Sequence, residues 1–365
     1  MIRRTLAAAA TVGLSALTLR MVSERAARRL LDAPRVGPDE AALGPALDAL
    51  GGEVVRIRSR DGLRLAARWL PVEGPAPAAA PTADATTGAA GTPAWRPDPH
   101  EAILLLHGYT GSIAPDLVEY GPFLRRPAGV LGLDFRGHGG SDAGPTTFGL
   151  LEVEDVAGSL AWLGARGVIS VALVGTSMGG ITAIAAVTVL GDGSLASADA
   201  IPDVPDGPAP PIRPRVVAVV ADSVASSVVV PVASRLPGPA ATFVAGRLFD
   251  GAARTLGADP RSTDPIKIVG LVAPVPLLLI HGAADTTVPP ADGERLAEAA
   301  GPSAEHWVVP GAEHSRAHAT DPAGYELRVS TFLQDAFAGS RTAMPIIGTP
   351  GPATVPVDPA PPVED

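Results

Sequence analysis

No cysteine occurs among the 365 residues. Disulfides and a thiol nucleophile are therefore excluded, although this alone assigns no compartment. No glycine-rich phosphate cradle and no H-E-x-x-H pattern are present either. Nucleotide and metal chemistry thus have no foothold, and neither a cofactor nor a metal is expected. The positive charge that a nucleic-acid binder needs is missing too, because the formal net charge is −10. There is no internal repeat. The N-terminal apolar stretch, Leu6 to Leu19, has only fourteen residues, whereas a full membrane span needs about twenty.

That stretch follows Arg3-Arg4 and precedes Arg20, Glu24, Arg25, Arg28 and Arg29. Its length suits a signal-peptide core, but no small-x-small cleavage site follows. Residues 1–35 are therefore read as a short, uncleaved membrane anchor, with an amphipathic packing helix as the plain alternative. Arginines on both sides leave the orientation open. The chain is expected to be membrane-associated or exported, and a cytoplasmic location stays open.

The strongest positive signal is Gly175-Thr176-Ser177-Met178-Gly179-Gly180. It follows the short apolar run Val168 to Val174, which reads as a buried strand, and precedes Ile181 to Leu190, which reads as a buried helix. A serine at a glycine-flanked strand-to-helix turn is a nucleophile elbow. The reversal is so sharp that only residues without a bulky Cβ fit beside it. The serine also sits at a helix N-terminus, whose free N–H groups favour a developing oxyanion. The plain alternative for Ser177 is a helix N-cap.

Three more runs share this pattern of an apolar strand ending in polar residues: Ala102 to Ser112, Pro276 to Pro289, and His306 to Ser315. Open α/β sheets place their sites just past the carboxyl ends of strands. The order Ser177, Asp285, His314 is that of the α/β-hydrolase triad and differs from the orders of the two protease classes.

These segments, with Asp134-Phe135-Arg136-Gly137-His138-Gly139-Gly140-Ser141, resemble the α/β-hydrolase superfamily. Within it, they are similar to the serine hydrolase group of monoglyceride lipase-like and serine aminopeptidase-like enzymes. The resemblance covers roughly Glu53 to Ala338. It implies Ser177 as nucleophile, His314 as general base and Asp285 as the acid that orients His314. It further implies an oxyanion hole from the backbone N–H groups of Met178 and Tyr109. His107, Asp134, Arg136, Ser141 and His281 are expected to be structural. Rival readings remain for Asp285, as a turn aspartate bonding its own backbone, and for Asp222, as the acid in its place. His306 and His318 read as surface or packing residues. Tyr109 has two readings, as a wall of the acyl pocket or as plain packing.

The implied fold is α/β: a mostly parallel central sheet flanked by helices, with a small cap inserted after the sixth strand. The expected hydrolase domain covers residues 53–339. It opens with a hairpin about Arg60-Asp61-Gly62. Further helices are expected at Asp116 to Arg125, Leu150 to Ala165, Ala291 to Ala300 and Gly324 to Ala338. The compositionally biased insertions 74–99 and 191–214 read as flexible, 223–270 as the cap, and the Pro-rich tail 340–365 as disordered. Function is read as a serine hydrolase cleaving a carboxylic ester on a small-molecule ester or acyl substrate. The alternatives are an aminopeptidase or amidase, an acyltransferase on the same residues, and a non-catalytic ligand-binding relative. The sequence does not specify acyl length or oligomeric state.

Overall fold

A computed structural model describes residues 24–32, 40–73, 98–109, 111–191 and 213–343. The apolar stretch Leu6–Leu19, most of the two biased insertions and nearly all of the Pro-rich tail lie outside these residues.

The eight strands are β1 (Glu53–Arg58), β2 (Arg64–Leu70), β3 (Glu101–Leu106), β4 (Gly129–Leu133), β5 (Ser170–Thr176), β6 (Arg215–Asp222), β7 (Leu277–Gly282) and β8 (Ala304–Val309). They form one sheet in the order β1-β2-β4-β3-β5-β6-β7-β8. β1 pairs antiparallel with β2, and β2 with β4; every later pairing is parallel. The central strands read as unbroken apolar runs because both faces are covered, so no position meets water. β3 and β5 are buried at every residue.

The covering helices begin with α1 (residues 24–31) and α2 (Gly44–Leu50). They continue with α3 (Ala114–Leu124), α4 (Glu152–Gly164), α5 (Met178–Leu190), α6 (Val229–Ala233), α7 (Ala241–Leu256) and α8 (Pro265–Ile268). The last are α9 (Pro290–Ala300), α10 (Ala317–Thr320) and α11 (Pro322–Ala343). Leu104 and Leu106 of β3 join Val156 and Leu160 of α4, Ile181 and Ile184 of α5 and Leu296 of α9 on one face. Ile103 and Leu105 join Leu117 and Leu124 of α3 and Val329, Leu333 and Phe337 of α11 on the other. The two-residue strand period divides one apolar run between two cores. Helix α5 is apolar all round because it is sandwiched against β5, β6 and α4.

In β6 the alternation is broken. Val171 and Ala172 of β5 pair with Val216 and Ala218, so Val217 is an extra residue. Val217 and Ala218 both face the α3–α11 core. This bulge resets the phase and leaves Asp222 on that face as well.

Between β6 and β7 the chain forms the cap: α6, α7, the 3-10 turn Pro260–Thr263, and α8. Helix α7 lays Ala245, Phe249 and Ala252 inward and leaves Phe243 and Val244 exposed. The last helix runs to Ala343, five residues past the expected Ala338. Ser340 bonds Ser170 across the two hydroxyls (3.0 Å), and Arg341 grips Glu101 with two bonds (2.7 and 2.6 Å). These contacts hold its final turn against the N-terminal ends of β3 and β5.

Candidate active site

Because β3, β5, β6, β7 and β8 run parallel, their carboxyl ends open on one rim of the sheet. The residues that follow them meet there.

Ser177 lies between β5 and α5 with φ 50° and ψ −112°. This left-handed conformation is strained for a residue with a Cβ, so neighbouring contacts must hold it. Its N–H donates to the Asp222 carbonyl (2.8 Å), and its carbonyl accepts from Ile181 N–H (3.0 Å). The flanking glycines make room. A Cβ on Gly179 would lie 2.1 Å from the Leu106 carbonyl oxygen, and one on Gly175 would lie 2.3 Å from the Gly179 backbone. Ser177 stands at the N-cap position of α5, but its hydroxyl makes no capping bond. It lies 3.0 Å from Nε2 of His314 instead.

His314 Nδ1 lies 2.7 Å from Asp285 Oδ2. An ionised carboxylate only accepts, so Nδ1 carries the proton and donates, and Nε2 accepts from the Ser177 hydroxyl. Asp285 is 4 % exposed. Its other oxygen, Oδ1, accepts from the backbone N–H groups of Thr287 (2.9 Å) and Val288 (2.8 Å). One oxygen therefore faces His314 while the other bonds the backbone of its own turn. His281 Nε2 reaches the Val288 carbonyl (2.9 Å) and braces the same turn. Close backbone approach joins the Asp285 and His314 loops: Ala284 N–H donates to the Ala312 carbonyl (2.9 Å). A Cβ on Gly282 would sit 2.3 Å from that same oxygen.

Asp222 does not reach His314 by a hydrogen bond. Its Oδ1 accepts from the Ser223 hydroxyl (2.8 Å), whose oxygen accepts from Ser315 N–H (2.9 Å). Ser223 and Ser315 also have positive φ, 57° and 53°. Asp222 therefore steadies the His314 loop through one intervening hydroxyl. Burial raises its carboxyl to about 6, with the Ser223 and Tyr325 hydroxyls and His314 working in the other direction. His318 packs among Tyr120, Phe123 and Tyr325, with Nδ1 3.0 Å from Glu119 Oε1. His306 is half-buried on β8.

The loop after β3 brings Gly108 beside the serine: a Cβ there would meet the Ser177 Cβ at 3.8 Å. His107 accepts from Phe135 N–H at Nε2 (3.0 Å) and so donates from Nδ1 to the Gly108 carbonyl (2.6 Å). Burial and the adjacent His138 push its imidazole down to about 3. It stays neutral and serves as a strut. A ring nitrogen of His138 lies 2.6 Å from the Tyr109 carbonyl oxygen. Asp134 accepts from Ile113 and Gly140 N–H, while Ser141 donates to the Asp134 carbonyl. Arg136 is clamped between buried Asp155 and half-exposed Asp61 (2.7 and 2.8 Å). Each of the three bonds to a neighbouring segment. Met178 opens α5, so its N–H has no acceptor within the helix.

Sequence reasoning missed the surroundings of Tyr109. Its ring stacks on Phe148 (centroids 5.1 Å, 12° between planes), and Phe148 meets Phe249 of the cap edge-on. Its hydroxyl donates to the Leu30 carbonyl of α1 (2.7 Å). The available signal was the spacing of Ala27 and Leu31, one helical turn apart, within an arginine-rich stretch. Among the described residues no group of three or more His, Cys, Asp or Glu side chains could hold a metal ion. No helix among them is long and apolar enough to cross a membrane.

Comparison with solved structures supports the architecture. The chain is similar to the esterase Pf2001 of Pyrococcus furiosus (22 % identity, TM-score 0.55), covering 83 % of this chain and 99 % of that one. It is also similar to the alpha/beta hydrolase GrgF from Penicillium sp. sh18 (18 % identity, TM-score 0.52), over 78 % and 99 %. Among curated proteins, the uncharacterized protein YfhR of Escherichia coli O157:H7 is 27 % identical over 283 residues, 76 % of this chain and 78 % of that protein. The model of the alpha/beta hydrolase family matches residues 103–326. With most of the fold inside that match, this chain belongs to the alpha/beta hydrolase family.

Proposed function

We propose that this protein is a serine hydrolase that cleaves a carboxylic ester through an acyl-enzyme. The observation that carries this reading is the unbroken path Ser177 Oγ, His314 Nε2, His314 Nδ1, Asp285 Oδ2, with links of 3.0 and 2.7 Å. A serine hydroxyl is a weak nucleophile until a base removes its proton during attack. In the neutral tautomer described above, His314 presents a lone pair to that proton.

Attack forms the Ser177 Oγ–carbon bond and moves the hydroxyl proton to His314 Nε2. Asp285 stabilises the imidazolium without taking the proton. The negative charge gathers on the former carbonyl oxygen, where the N–H groups of Met178 and Tyr109 receive it. One preorganised donor of this kind is typically worth roughly 3–4 kcal/mol of barrier. The alcohol then leaves with the proton from His314. Water repeats the sequence on the acyl-enzyme, releases the acid and restores Ser177. An ester is chosen by likeness to the esterase Pf2001, whose fold is similar.

The test is pre-steady-state hydrolysis of p-nitrophenyl esters of graded acyl length. The expected result is a burst of about one p-nitrophenolate per active site, absent in Ser177→Ala. Turnover by Ser177→Ala at the wild-type rate would overturn the reading.

A further inference from the structure

Helix α1 precedes the family-matched region by some seventy positions, yet its last turn lies against the site. A helix leaves its final carbonyls without partners inside the helix. Here two of them are taken up by the loop after β3 and by the segment that precedes α4. The Leu30 carbonyl accepts from the Tyr109 hydroxyl (2.7 Å), and the Leu31 carbonyl accepts from Thr146 N–H (2.7 Å). Fully buried Ala27 and nearly buried Leu31 form a small cluster with Ala252 and Leu256 of α7. Glu24 pairs with Arg254 on the same helix (3.4 Å). The helix is thus fixed to the cap along its length and to the oxyanion loop by its last turn.

Tyr109 is the residue on which these contacts converge. Its carbonyl meets His138, its ring lies flat on Phe148, and its hydroxyl is held by α1. Phe148 itself has a left-handed backbone (φ 57°). It packs on Phe249 of the cap, and its carbonyl accepts from Thr263. The contacts from α1 therefore reach Tyr109 by two routes. One is the phenol itself; the other runs through the Thr146–Phe148 segment.

We infer that α1 is a working part of the site, with the Tyr109 phenol the positioning group through which this N-terminal helix sets the oxyanion loop. The inference rests on the reading of Ser177 as nucleophile and Tyr109 N–H as oxyanion donor. Such donors act only when they lie about 2.7–3.1 Å from the oxyanion. A loop released from α1 should therefore lose transition-state stabilisation while ground-state binding changes little.

The experiment uses the full chain and three variants: Tyr109→Phe, which keeps the stack on Phe148, Ala27→Arg, which undocks α1 from α7, and their combination. Each preparation is titrated with a fluorophosphonate, so that rates refer to competent sites. The expected result is a kcat about tenfold lower in each single variant, with KM within about threefold of wild type. The double variant should fall no further than the worse single variant, because undocking α1 already releases the phenol that Tyr109→Phe removes. Where Ala27→Arg does not fold, Leu31→Gln takes its place. Wild-type kcat in Tyr109→Phe, or losses that multiply in the double variant, would overturn the inference. Hydrogen exchange across residues 24–32 gives a readout independent of catalysis: Tyr109→Phe should speed it, and unchanged protection contradicts the tether. If the wild-type chain fails to react with the fluorophosphonate, the serine reading falls, and the exchange comparison still decides whether α1 is held by Tyr109.

Discussion

Replacing Asp285 by asparagine separates the two aspartates that compete for the third place in the site. In the wild-type chain Oδ1 of Asp285 serves two backbone N–H groups and Oδ2 serves His314. An asparagine has one oxygen and one NH2 group to divide between them. Turning the oxygen to His314 would aim the NH2 group at the Thr287 and Val288 donors and leave both unpaired. At about 1–3 kcal/mol for each buried unpaired donor, that orientation costs roughly 2–6 kcal/mol, more than one bond to His314 returns. The oxygen therefore stays with the amides and NH2 faces Nδ1. Nδ1 must then accept, Nε2 carries the proton, and Ser177 loses its base. A tautomer reversal of this kind lowers kcat by about 10⁴-fold, or about 5 kcal/mol. Asp222→Asn should cost less than about tenfold, because its amide oxygen can still accept from Ser223. The assay is steady-state hydrolysis of a p-nitrophenyl ester, with thermal unfolding to show that Asp285→Asn retains its fold. The reasoning fails if Asp285→Asn stays within tenfold of wild type while Asp222→Asn loses activity a thousandfold.

Two further outcomes concern stability. The Asp222 carboxyl is raised from 3.8 to about 6 by burial, so the folded chain binds its proton more tightly than the unfolded chain does. Between pH ~4 and ~6 the contribution of Asp222 to stability should then fall as pH rises, by about 3 kcal/mol for roughly two units at 1.36 kcal/mol each. Asp222→Asn lacks this loss, so its stability relative to wild type should improve from pH 4 to pH 7 in denaturant titrations; a pH-independent difference contradicts the argument. Gly179→Ala forces a Cβ to 2.1 Å from the Leu106 oxygen and 2.8 Å from the His107 oxygen, both backbone, and should destabilise by more than about 3 kcal/mol. Gly246→Ala, in α7 with nothing within 4 Å, should instead gain about 0.5–1 kcal/mol. Thermal melts of the two variants that move together would refute the packing argument.

How much of this was legible in the sequence follows from where each signal resides. The strands around Ser177 are buried on both faces, so apolar runs such as Ala102 to Leu106 announced themselves. The glycines at 175, 179 and 180 are required by contacts under about 3 Å, and that constraint is written as a local motif. Asp285 also carried a local signature, because its turn is built by its own side chain. Asp222 was ambiguous for a physical reason: a bulge at Val217 decides which face it occupies, and bulges leave little trace in composition. The role of α1 was hidden because its partners, Tyr109, Thr146, Ala252 and Arg254, are distant along the chain. The exposed Arg25, Arg28 and Arg29 dominate that stretch, and its buried face is only Ala27 and Leu31. Tyr109 has three distinct tethers, none of them readable from its immediate neighbours.

The central claim is that Ser177 is the group activated by His314. Its most direct measurement is mass spectrometry of peptides from the full chain after reaction with a fluorophosphonate. The account predicts one adduct per chain on the peptide carrying Ser177, absent in Ser177→Ala and formed at least a hundredfold more slowly in His314→Ala. An adduct on another residue, or undiminished labelling of Ser177→Ala, would contradict it.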